Sequence, residues 1–295
     1  MDTNNTAHLA RWWKSLDDVK VQCGLCPRAC RIADGETGFC GVRKNVGGKL
    51  YSLSYGMPVA LHVDPIEKKP LAEFLPGTKT FSLGTFGCTL DCSFCQNASL
   101  SRGSYTGAAY ENYLAPERIV ELALDNKCRS VAFTYNEPTV FAEYAIDVAE
   151  LAHKRDLKTV LVTNGYITEQ AATDLYPVID AANVDMKGFS EEFYRSMTAS
   201  HLNPVLNAIK YFYKLEKHIE ITNLVIPGKN DSMEMIDAWL DWVEANLDKK
   251  IPLHFSAFFP THKYYGSPRT PRETLWKIKE HAAERGFHAV YLGNI

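Results

Sequence analysis

Three cysteines at C-x3-C-x2-C spacing constrain this chain more than any other feature. Cys88, Cys92 and Cys95 follow an apolar run at residues 81–84 and a glycine-containing turn, and the aromatic Phe94 precedes the third cysteine. Thiolates spaced this tightly on one loop can converge on a single metal centre. A [4Fe–4S] cube has four irons, so three thiolates would leave one iron open to a non-protein ligand. The alternatives are unmetallated thiols or a zinc site, which would need a fourth ligand from outside the loop.

A second group of four cysteines lies nearer the N-terminus, at C-x2-C-x3-C-x9-C spacing: Cys23, Cys26, Cys30 and Cys40. Four thiolates can close a tetrahedral zinc site, or they can hold a second [4Fe–4S] cluster with no open iron. Free thiols and two disulfides are the remaining alternatives, and spacing does not decide among them. A metal bound here would cross-link and stabilise a segment that has too few apolar residues to fold alone.

Composition and charge narrow the class of protein. The chain has 295 residues, 46% of them hydrophobic, and a net charge of −3 without a basic block. This balance suits a globular protein and argues against nucleic acid or a charged membrane surface as the main partner. No apolar run approaches the roughly 20 residues of a membrane span, and the polar start Met1-Asp-Thr-Asn-Asn lacks the features of a signal peptide. Because seven of the eight cysteines fall in groups with metal-like spacing, we predict a reducing, cytoplasmic location.

From residue 80 onward, short apolar runs alternate with stretches of helical periodicity. Strands are predicted at residues 80–84, 130–135, 159–163, 182–186, 219–226 and 252–257. Helices are predicted at residues 116–126, 139–155, 169–175, 191–197, 205–217, 232–246 and 270–285. This alternation indicates an α/β fold with a parallel sheet, but alone it does not separate a partial barrel from a doubly wound sheet. Chemistry in parallel barrels lies at the carboxyl ends of the strands, and the cysteine loop directly follows the first strand.

The first 79 residues are predicted to form an N-terminal extension, followed by the main domain at residues 80–295. An amphipathic docking helix is predicted over residues 1–20, around Leu9, Trp12, Trp13 and Leu16. A hairpin with a Gly47-Gly48 turn is predicted within residues 47–63. A Pro- and charge-rich connection from His62 to about residue 77 is expected to lie over the main domain. Its Lys68 and Lys69 would either touch cofactor or substrate or be solvated.

Polar or glycine-containing patches are placed after each later predicted strand. They contain Asn136 and Glu137, Thr163 and Asn164, Asp185 and Lys187, the turn after Ile226, and the run that begins at His254. Any one of them could be an ordinary turn, and Glu137 could simply initiate a helix. Their joint appearance, in order and after each strand, favours a binding site at this edge. The lone Cys128 is interpreted as a buried structural thiol.

The C-x3-C-x2-C loop with its aromatic resembles the motif of the radical S-adenosylmethionine (radical SAM) superfamily. In that family the open iron chelates S-adenosylmethionine, and an electron from the reduced cluster releases a 5′-deoxyadenosyl radical. The resemblance implies a partial (β/α)6 barrel with the Cys-rich extension at its N-terminus. It also implies that Cys88, Cys92 and Cys95 form the catalytic centre, and that a further set of residues lines the cofactor site. That set comprises Phe94, Asn136, Glu137, Thr163, Asn164, Asp185, Lys187, Ile226 and His254.

Within this site, the resemblance assigns a contact to six of these positions. Glu137 would accept hydrogen bonds from the amino group of the cofactor, which suits a carboxylate. Thr163 and Asn164 would approach the ribose and methionyl parts. Asp185 and Lys187 would approach ribose hydroxyls and the carboxylate, or a monovalent cation. Ile226 would pack near the adenine.

A finer resemblance is to the radical SAM proteins of the AmmeMemoRadiSam system, which are related to the pyruvate formate-lyase activating enzyme group. It rests on four runs, at residues 23–30, 38–43, 62–71 and 291–294. It implies a Memo-type protein and a small companion protein as partners, and a flavodoxin or ferredoxin as reductant. Relatives often continue past Asn294 into a cysteine-containing tail that this sequence lacks, so a metal site needing that tail would be incomplete.

Three functions are compatible with these observations. The first is radical generation followed by hydrogen abstraction from a substrate, which the activase likeness suggests is a protein backbone or a partner-bound group. The second is radical modification of a small metabolite on the same scaffold. The third is a non-catalytic iron–sulfur carrier or a metal-stapled scaffold for the partners. A carrier has no need of cofactor-binding residues at five strand ends, which favours the first two.

Overall fold

Six short strands near the N-terminus form two small antiparallel sheets, in a computed structural model that describes residues 8–105 and 113–295. They are β1 (His8–Leu9), β2 (Trp13–Ser15), β3 (Val21–Cys23), β4 (Arg31–Ile32), β5 (Arg43–Val46) and β6 (Lys49–Ser52). The strand orders are β1-β6-β5 and β2-β3-β4. The β5–β6 hairpin turns at Gly47 and Gly48, whose φ angles of 59° and 78° suit glycine. This hairpin confirms the predicted Gly-Gly turn.

The helix predicted over residues 1–20 is wrong wherever the structure describes it, from residue 8 onward. The chain forms β1 and β2 there, and Trp12, Asp18 and Val19 have φ angles of 55°, 57° and 59°. Such left-handed residues cannot continue a right-handed helix. Trp12 is buried, and its indole Nε1 donates a hydrogen bond of 2.8 Å to Asp174. The apolar spacing thus reflects docking of strands on the main domain, while residues 1–7 lie outside the described part.

The main sheet has eight strands whose spatial order follows the chain order. They are β7 (Ala60–Pro65), β8 (Lys79–Gly84), β9 (Ser130–Phe133), β10 (Lys158–Thr163), β11 (Ala181–Asp185), β12 (His218–Val225), β13 (Leu253–Ala257) and β14 (Val290–Gly293). Strands β8 to β14 are parallel, and β7 pairs antiparallel with β8. Because β7 and β14 end the sheet without pairing to each other, the barrel is partial. All six predicted strands are present, and β14 adds a seventh parallel strand that the sequence did not reveal.

Eight α-helices occur in the described part of the chain. They are α1 (Ala98–Ser101), α2 (Pro116–Asp125), α3 (Ala142–His153), α4 (Glu169–Leu175), α5 (Glu191–Thr198), α6 (Leu202–Lys214), α7 (Met233–Asn246) and α8 (Arg272–Glu284). The side-chain oxygens of Thr168, Ser190 and Ser232 cap α4, α5 and α7. The seven predicted helices correspond to α2–α8, although a 3-10 turn, Pro138–Phe141, replaces the predicted start of α3. None of the helices described has both the length and the apolarity to cross a bilayer.

Packing of the helices on the parallel strands explains the apolar character of those strands. Every residue of β9 is buried, as is every residue of β8 after its first. Strands of a parallel sheet covered on both faces have this pattern. A large hydrophobic core includes residues of the strands, the helices and the N-terminal module. The fold class predicted from the sequence is confirmed.

The connection after His62 differs from its prediction. Residues 60–65 pair with β8 along their whole length as β7, so they form an edge strand rather than a covering loop. Lys69 is buried, and its Nζ atom lies 2.7 Å from Asp64, whereas Lys68 is mostly exposed. Lys69 is therefore neither solvated nor free for a ligand. The domain boundary at residue 79 stays a prediction.

Candidate metal and cofactor site

The cysteine loop follows β8, and the Asn136 side chain holds the turn that leads into it. Its Oδ1 accepts a hydrogen bond from the Thr85 amide at 2.9 Å, and its Nδ2 donates to the Gly87 carbonyl at 2.9 Å. Gly87 has a φ of 95°, and a Cβ atom there would lie 2.7 Å from the Cys40 carbonyl oxygen. Asn136 therefore positions the loop, and Gly87 allows the N-terminal module to approach it closely.

The far side of the loop is fixed to the end of α5. The Asp91 amide donates to the Thr198 carbonyl at 3.0 Å, and the Ser93 amide donates to the Met197 carbonyl at 2.9 Å. The Asp91 carboxylate forms ion pairs with Arg102 and Lys263, each at 3.2 Å. These contacts hold the backbone between Cys88 and Cys95 against a neighbouring element, which suits a site whose ligands need fixed positions.

The three thiols of the loop are free, and two of them have perturbed acidity. Burial raises the pKa of the Cys88 thiol well above its ordinary value. Burial also raises the pKa of Cys92 to about 12, against the opposing charge of Lys187. The Cys88 sulfur accepts hydrogen bonds from the Leu90 amide at 3.4 Å and the Asn164 Nδ2 at 3.6 Å. Metal binding would replace the protons of these thiols.

Glu137 connects the ends of β9 and β10. Its buried Oε1 accepts from the Thr139 amide and hydroxyl and from the Thr163 hydroxyl, at 2.6–3.0 Å. Its Oε2 accepts from the Asn164 amide at 2.8 Å. Burial raises the pKa of Glu137, although these hydrogen bonds oppose the effect. Glu137 thus caps the 3-10 turn and positions Asn164. This agrees with the alternative interpretation of the sequence, in which Glu137 initiates a helix.

Asp185 and Lys187 form an ion pair of 3.1 Å after β11. Burial alone would lower the pKa of Lys187, but the charges of Asp185 and Cys92 outweigh burial and raise it. The Lys187 ammonium is therefore coupled electrostatically to Cys92 of the cysteine loop. Asn230 ties this turn to the next strand end, because its Nδ2 donates to the Lys187 carbonyl and its Oδ1 accepts from the Ile226 amide.

Two apolar members of the predicted cofactor set are buried. Phe94 is 2% exposed and packs against Phe193, with ring centroids 6.1 Å apart. Ile226 is fully buried directly after β12. The structure therefore gives both residues packing roles, and their contacts with a cofactor stay predictions.

His254 does not join the other predicted residues. It is the second residue of β13, so it lies towards the amino end of the strand rather than after the carboxyl end. Its Nε2 lies 2.5 Å from the buried carboxylate of Glu220. Burial would raise the pKa of Glu220, but hydrogen bonds from His218, His254 and two backbone amides lower it to about 2. The placement of His254 after the sixth strand is wrong, because the strand itself begins at Leu253.

The four cysteines of the N-terminal module line one small cavity. They are free, so the two disulfides left open by their spacing are not formed. Burial raises the pKa of Cys23 and raises that of Cys26 to about 12. Arg43 lines the same cavity and pairs with Glu143 through two hydrogen bonds of 2.7 and 2.6 Å. The module is thus anchored on α3 beside its own group of thiols.

Arg28 is a site residue that the sequence did not single out. Its Nε donates to the Thr89 carbonyl at 2.6 Å, and its Nη2 donates to the Ala199 carbonyl at 2.6 Å. Its guanidinium also lies 3.4 Å from the ring centroid of Phe39. Arg28 therefore joins the four-cysteine module to the Cys88 loop. The only available signal was its position inside the first cysteine run.

Within residues 8–105 and 113–295, no group of three or more His, Cys, Asp or Glu side chains is arranged to hold a metal ion. The cysteines therefore remain predicted ligands. The donors of the loop nevertheless suit an iron–sulfur cluster, because three free thiols share one fixed segment. Amide donors face the Cys88 sulfur, and the Lys187 cation is coupled to Cys92.

Comparison with known families identifies the class. The model of the radical SAM superfamily matches residues 82–243, from β8 into α7. The chain belongs to this superfamily. It is similar to the uncharacterized protein MJ0808 of Methanocaldococcus jannaschii, with 40% identity over 97% of this chain and 85% of that protein.

Solved structures share the fold at low identity. Streptococcus suis SuiB bound to the precursor peptide SuiA is 17% identical, covers 72% of this chain and 47% of that one, and has a TM-score of 0.57. A radical SAM methyltransferase from Sphaerobacter thermophilus is 15% identical, covers 75% of this chain and 67% of that one, and has a TM-score of 0.55. These similarities support the partial barrel alone.

Proposed function

We propose that this protein reductively cleaves S-adenosylmethionine and uses the resulting radical to abstract hydrogen from a substrate. The observation that carries the proposal is the loop of three free thiols at the carboxyl edge of the sheet, beside Asn164 and the Asp185–Lys187 pair. Cys88, Cys92 and Cys95 would hold a [4Fe–4S] cluster with one open iron. When bound, this cluster supplies the electron that breaks the cofactor's carbon–sulfur bond.

The residues around the loop would prepare the site for that chemistry. The Asn164 amide faces the Cys88 sulfur, and the Lys187 ammonium offsets negative charge near Cys92. Donors and cations placed beside a cluster tune its potential. The Asp185 side chain is 32% exposed, so it is accessible to cofactor hydroxyls or to a monovalent cation.

Glu137 is proposed to bind the cofactor amine through one oxygen only. Its Oε1 already accepts three hydrogen bonds, whereas Oε2 accepts one, from the Asn164 amide. A carboxylate oxygen has about two lone-pair sites, so Oε2 retains one for a donor. Glu137→Gln should therefore lower cofactor affinity measured by calorimetry in the reconstituted protein. Equal affinity in the variant and the wild type would restrict Glu137 to its structural role.

A protein segment or a partner-bound group is the substrate that we propose first, on the likeness of the sequence to glycyl-radical-enzyme activases. SuiB, which shares the fold, has been solved with a precursor peptide bound. A small metabolite is the alternative. Memo-type and companion proteins of the AmmeMemoRadiSam system are proposed partners, with a flavodoxin or ferredoxin as reductant. A reducing cytoplasm would protect the free thiols.

The four-cysteine module is proposed to hold a second metal centre, either zinc or an iron–sulfur cluster. Its thiols share one cavity and are not paired in disulfides. A non-catalytic carrier or scaffold remains the alternative for the whole protein. That alternative assigns no task to the Asp185–Lys187 pair beside the loop.

The decisive test is anaerobic reconstitution with iron and sulfide, followed by reduction in the presence of S-adenosylmethionine. We expect 5′-deoxyadenosine, detected by chromatography and mass spectrometry. Iron uptake without 5′-deoxyadenosine would favour the carrier or scaffold. For the substrate, deuterium transfer into 5′-deoxyadenosine should be measured with labelled partner protein and labelled metabolites. Transfer only from metabolites would overturn the protein-substrate proposal.

A further inference from the structure

The four thiols of the N-terminal module line a cavity rather than converging on one point. It is lined by Cys23, Cys26, Cys30 and Cys40, and the space open to the centre of a water molecule is about 10 Å³. That is about the volume that admits one water. In a tetrahedral zinc site each sulfur lies about 2.3 Å from the centre. Nonbonded heavy atoms need about 3.5–4.0 Å, so thiols at zinc-binding distances leave no room for a water between them.

The arrangement of the four thiols also argues against a single zinc ion. In the described part of the chain these four thiols, like those of the Cys88 loop, are not arranged to hold one metal ion. Binding one zinc ion would require the four sulfurs to move closer together, by rotation of the cysteine side chains or by movement of the backbone that carries them. That backbone is constrained, because the Cys23 amide donates to the Cys30 carbonyl at 2.9 Å and the Gly41 amide donates to the Gly38 carbonyl at 2.9 Å.

Arg43 gives a second, independent indication of an anionic occupant. It lines the cavity and its side chain is 1% exposed. Both terminal nitrogens bind Glu143, but the buried Nε has no hydrogen-bond partner. An unpaired buried donor costs about 1–3 kcal/mol. A ligand with acceptor atoms inside the cavity would supply the missing partner.

We propose that the four-cysteine cavity holds a polynuclear iron–sulfur cluster rather than a zinc ion, with Arg43 facing it as a hydrogen-bond donor. A cluster is larger than one ion, so it suits thiols spaced around an open cavity. It also carries sulfides that can accept a hydrogen bond, and such bonds tune cluster potentials. Four thiolates would leave no iron open, so this centre would not bind S-adenosylmethionine. The inference rests on the second metal centre of the proposed function.

The position of the cavity places this cluster next to the Cys88 loop. Thr89, the residue after Cys88, lines the same cavity. Its hydroxyl lies 3.1 Å from the Asn164 Nδ2, which also approaches the Cys88 sulfur. Arg28, another lining residue, donates to the Thr89 carbonyl. Thr89 thus links the two cysteine groups. Two reduced clusters at these positions would be close enough for their electron spins to interact.

The test uses a variant that retains only the four-cysteine site, Cys88→Ala/Cys92→Ala/Cys95→Ala. After anaerobic reconstitution with iron, sulfide and competing zinc, it should bind about four irons and show a cluster signal in electron paramagnetic resonance after reduction. One zinc with no iron, or no metal in folded protein, would overturn the inference. The proposed function would still stand if the wild type formed 5′-deoxyadenosine, so the two failures are distinguishable.

A second comparison covers the case in which the triple variant does not fold. The wild type should hold about eight irons and Cys26→Ala about four. The fully reduced wild type should also show spin–spin broadening that is absent from Cys26→Ala. Equal iron contents would overturn the cluster, and an unbroadened wild-type spectrum would overturn its proximity to the loop.

Arg43→Lys tests the donor role, because it keeps the charge beside Glu143 and removes the Nε donor. We expect the midpoint potential of the four-cysteine centre to become more negative. Arg31→Lys, at an exposed position of β4, is the matched control and should leave this midpoint potential unchanged. An unchanged potential in Arg43→Lys would contradict the assigned hydrogen bond.

Discussion

The two cysteine groups have similar chemistry but different surroundings. Both contain thiols whose pKa burial raises, such as Cys26 and Cys92. The four-cysteine cavity is lined mostly by residues of its own module, with Thr89 and Val140 from the main domain, and the charge of its Arg43 is neutralised by Glu143. The Cys88 loop lies instead at the edge of the sheet, beside polar residues from three strand ends. Thiol count and neighbours, rather than thiol acidity, distinguish a closed centre from one open to a ligand.

The ion pairs beside the two cysteine groups differ in how far they are buried. Arg43 is fixed by a bidentate ion pair with no exposed side chain on either partner. Lys187 pairs with an Asp185 side chain that is one-third exposed, and its charge also acts on Cys92. A fully buried pair suits a structural centre, whereas a partly accessible pair suits a site that exchanges ligands.

The largest expected effect is that of Cys92→Ala. Loss of one of only three thiols should abolish 5′-deoxyadenosine formation, because the cube would lose a ligand that no neighbour replaces. Product is measured by chromatography under reducing conditions. Cys128→Ala removes the lone buried thiol instead, and it should retain activity. Full activity in Cys92→Ala would remove the functional distinction between the two groups.

Cys26→Ala should have the converse effect. The metal of the four-cysteine centre should be lost and the Tm should fall, because metal binding contributes folding free energy. The Cys88 loop should keep its iron and still form 5′-deoxyadenosine. If the folded variant lost cleavage as completely as Cys92→Ala does, the division into an active and a structural centre would be wrong.

Lys187→Met should have an intermediate effect. Without the nearby cation, the reduced and more negative cluster is less stable, so its potential should shift to more negative values. Residues that support metal ligands typically contribute about 10–100-fold to activity, and we expect a loss of cleavage in that range. Lys277→Met, at an exposed position of α8, is the matched control. Equal potentials in the two variants would exclude electrostatic coupling of Lys187 to the loop.

The smallest effect on either centre should come from Glu220, at the opposite edge of the sheet. Its pKa is lowered from 4.5 to about 2 in the fold. The ionised Glu220 carboxylate therefore stabilises the folded protein above pH 4.5, and this stabilisation is lost as pH falls towards 2. In metal-free protein Glu220 should contribute about 3 kcal/mol to the unfolding free energy lost across that window, measured as the difference between urea titrations of the wild type and Glu220→Gln.

Glu220→Gln should lack this pH-dependent component while retaining metal content and cleavage. Its unfolding free energy at neutral pH should be lower, because hydrogen bonds to His218 and His254 lose their charged acceptor. A loss of iron from either cysteine group in this variant would show that the two edges of the sheet are coupled.

Local sequence was sufficient to predict much of the fold. The six predicted strands and seven predicted helices each have a counterpart, because a parallel sheet covered on both faces needs continuous apolar runs. Helix starts at Thr168, Ser190 and Ser232 follow from hydroxyl caps that act within one turn. Strand β14 was missed because its run, Val290–Gly293, is short and only partly buried.

The N-terminal segment could not be predicted in the same way. Its apolar spacing resembles a helix, but Trp12 pairs with Asp174, which is 162 positions away in the chain. His254 was misplaced for a related reason, since its partner is Glu220 on the adjacent strand. Long-range contacts decide such positions, and no local pattern encodes them.

The sequence alone determined the two cysteine groups and their thiol counts, because ligand number and spacing are properties of the chain itself. It also determined the order of strands and helices through apolar periodicity. Only the tertiary structure decided that Thr89 joins both groups, that Lys187 is coupled to Cys92, and that Arg43 faces the four thiols. Those relations depend on distances between segments far apart in the chain, which packing of the sheet and the module sets.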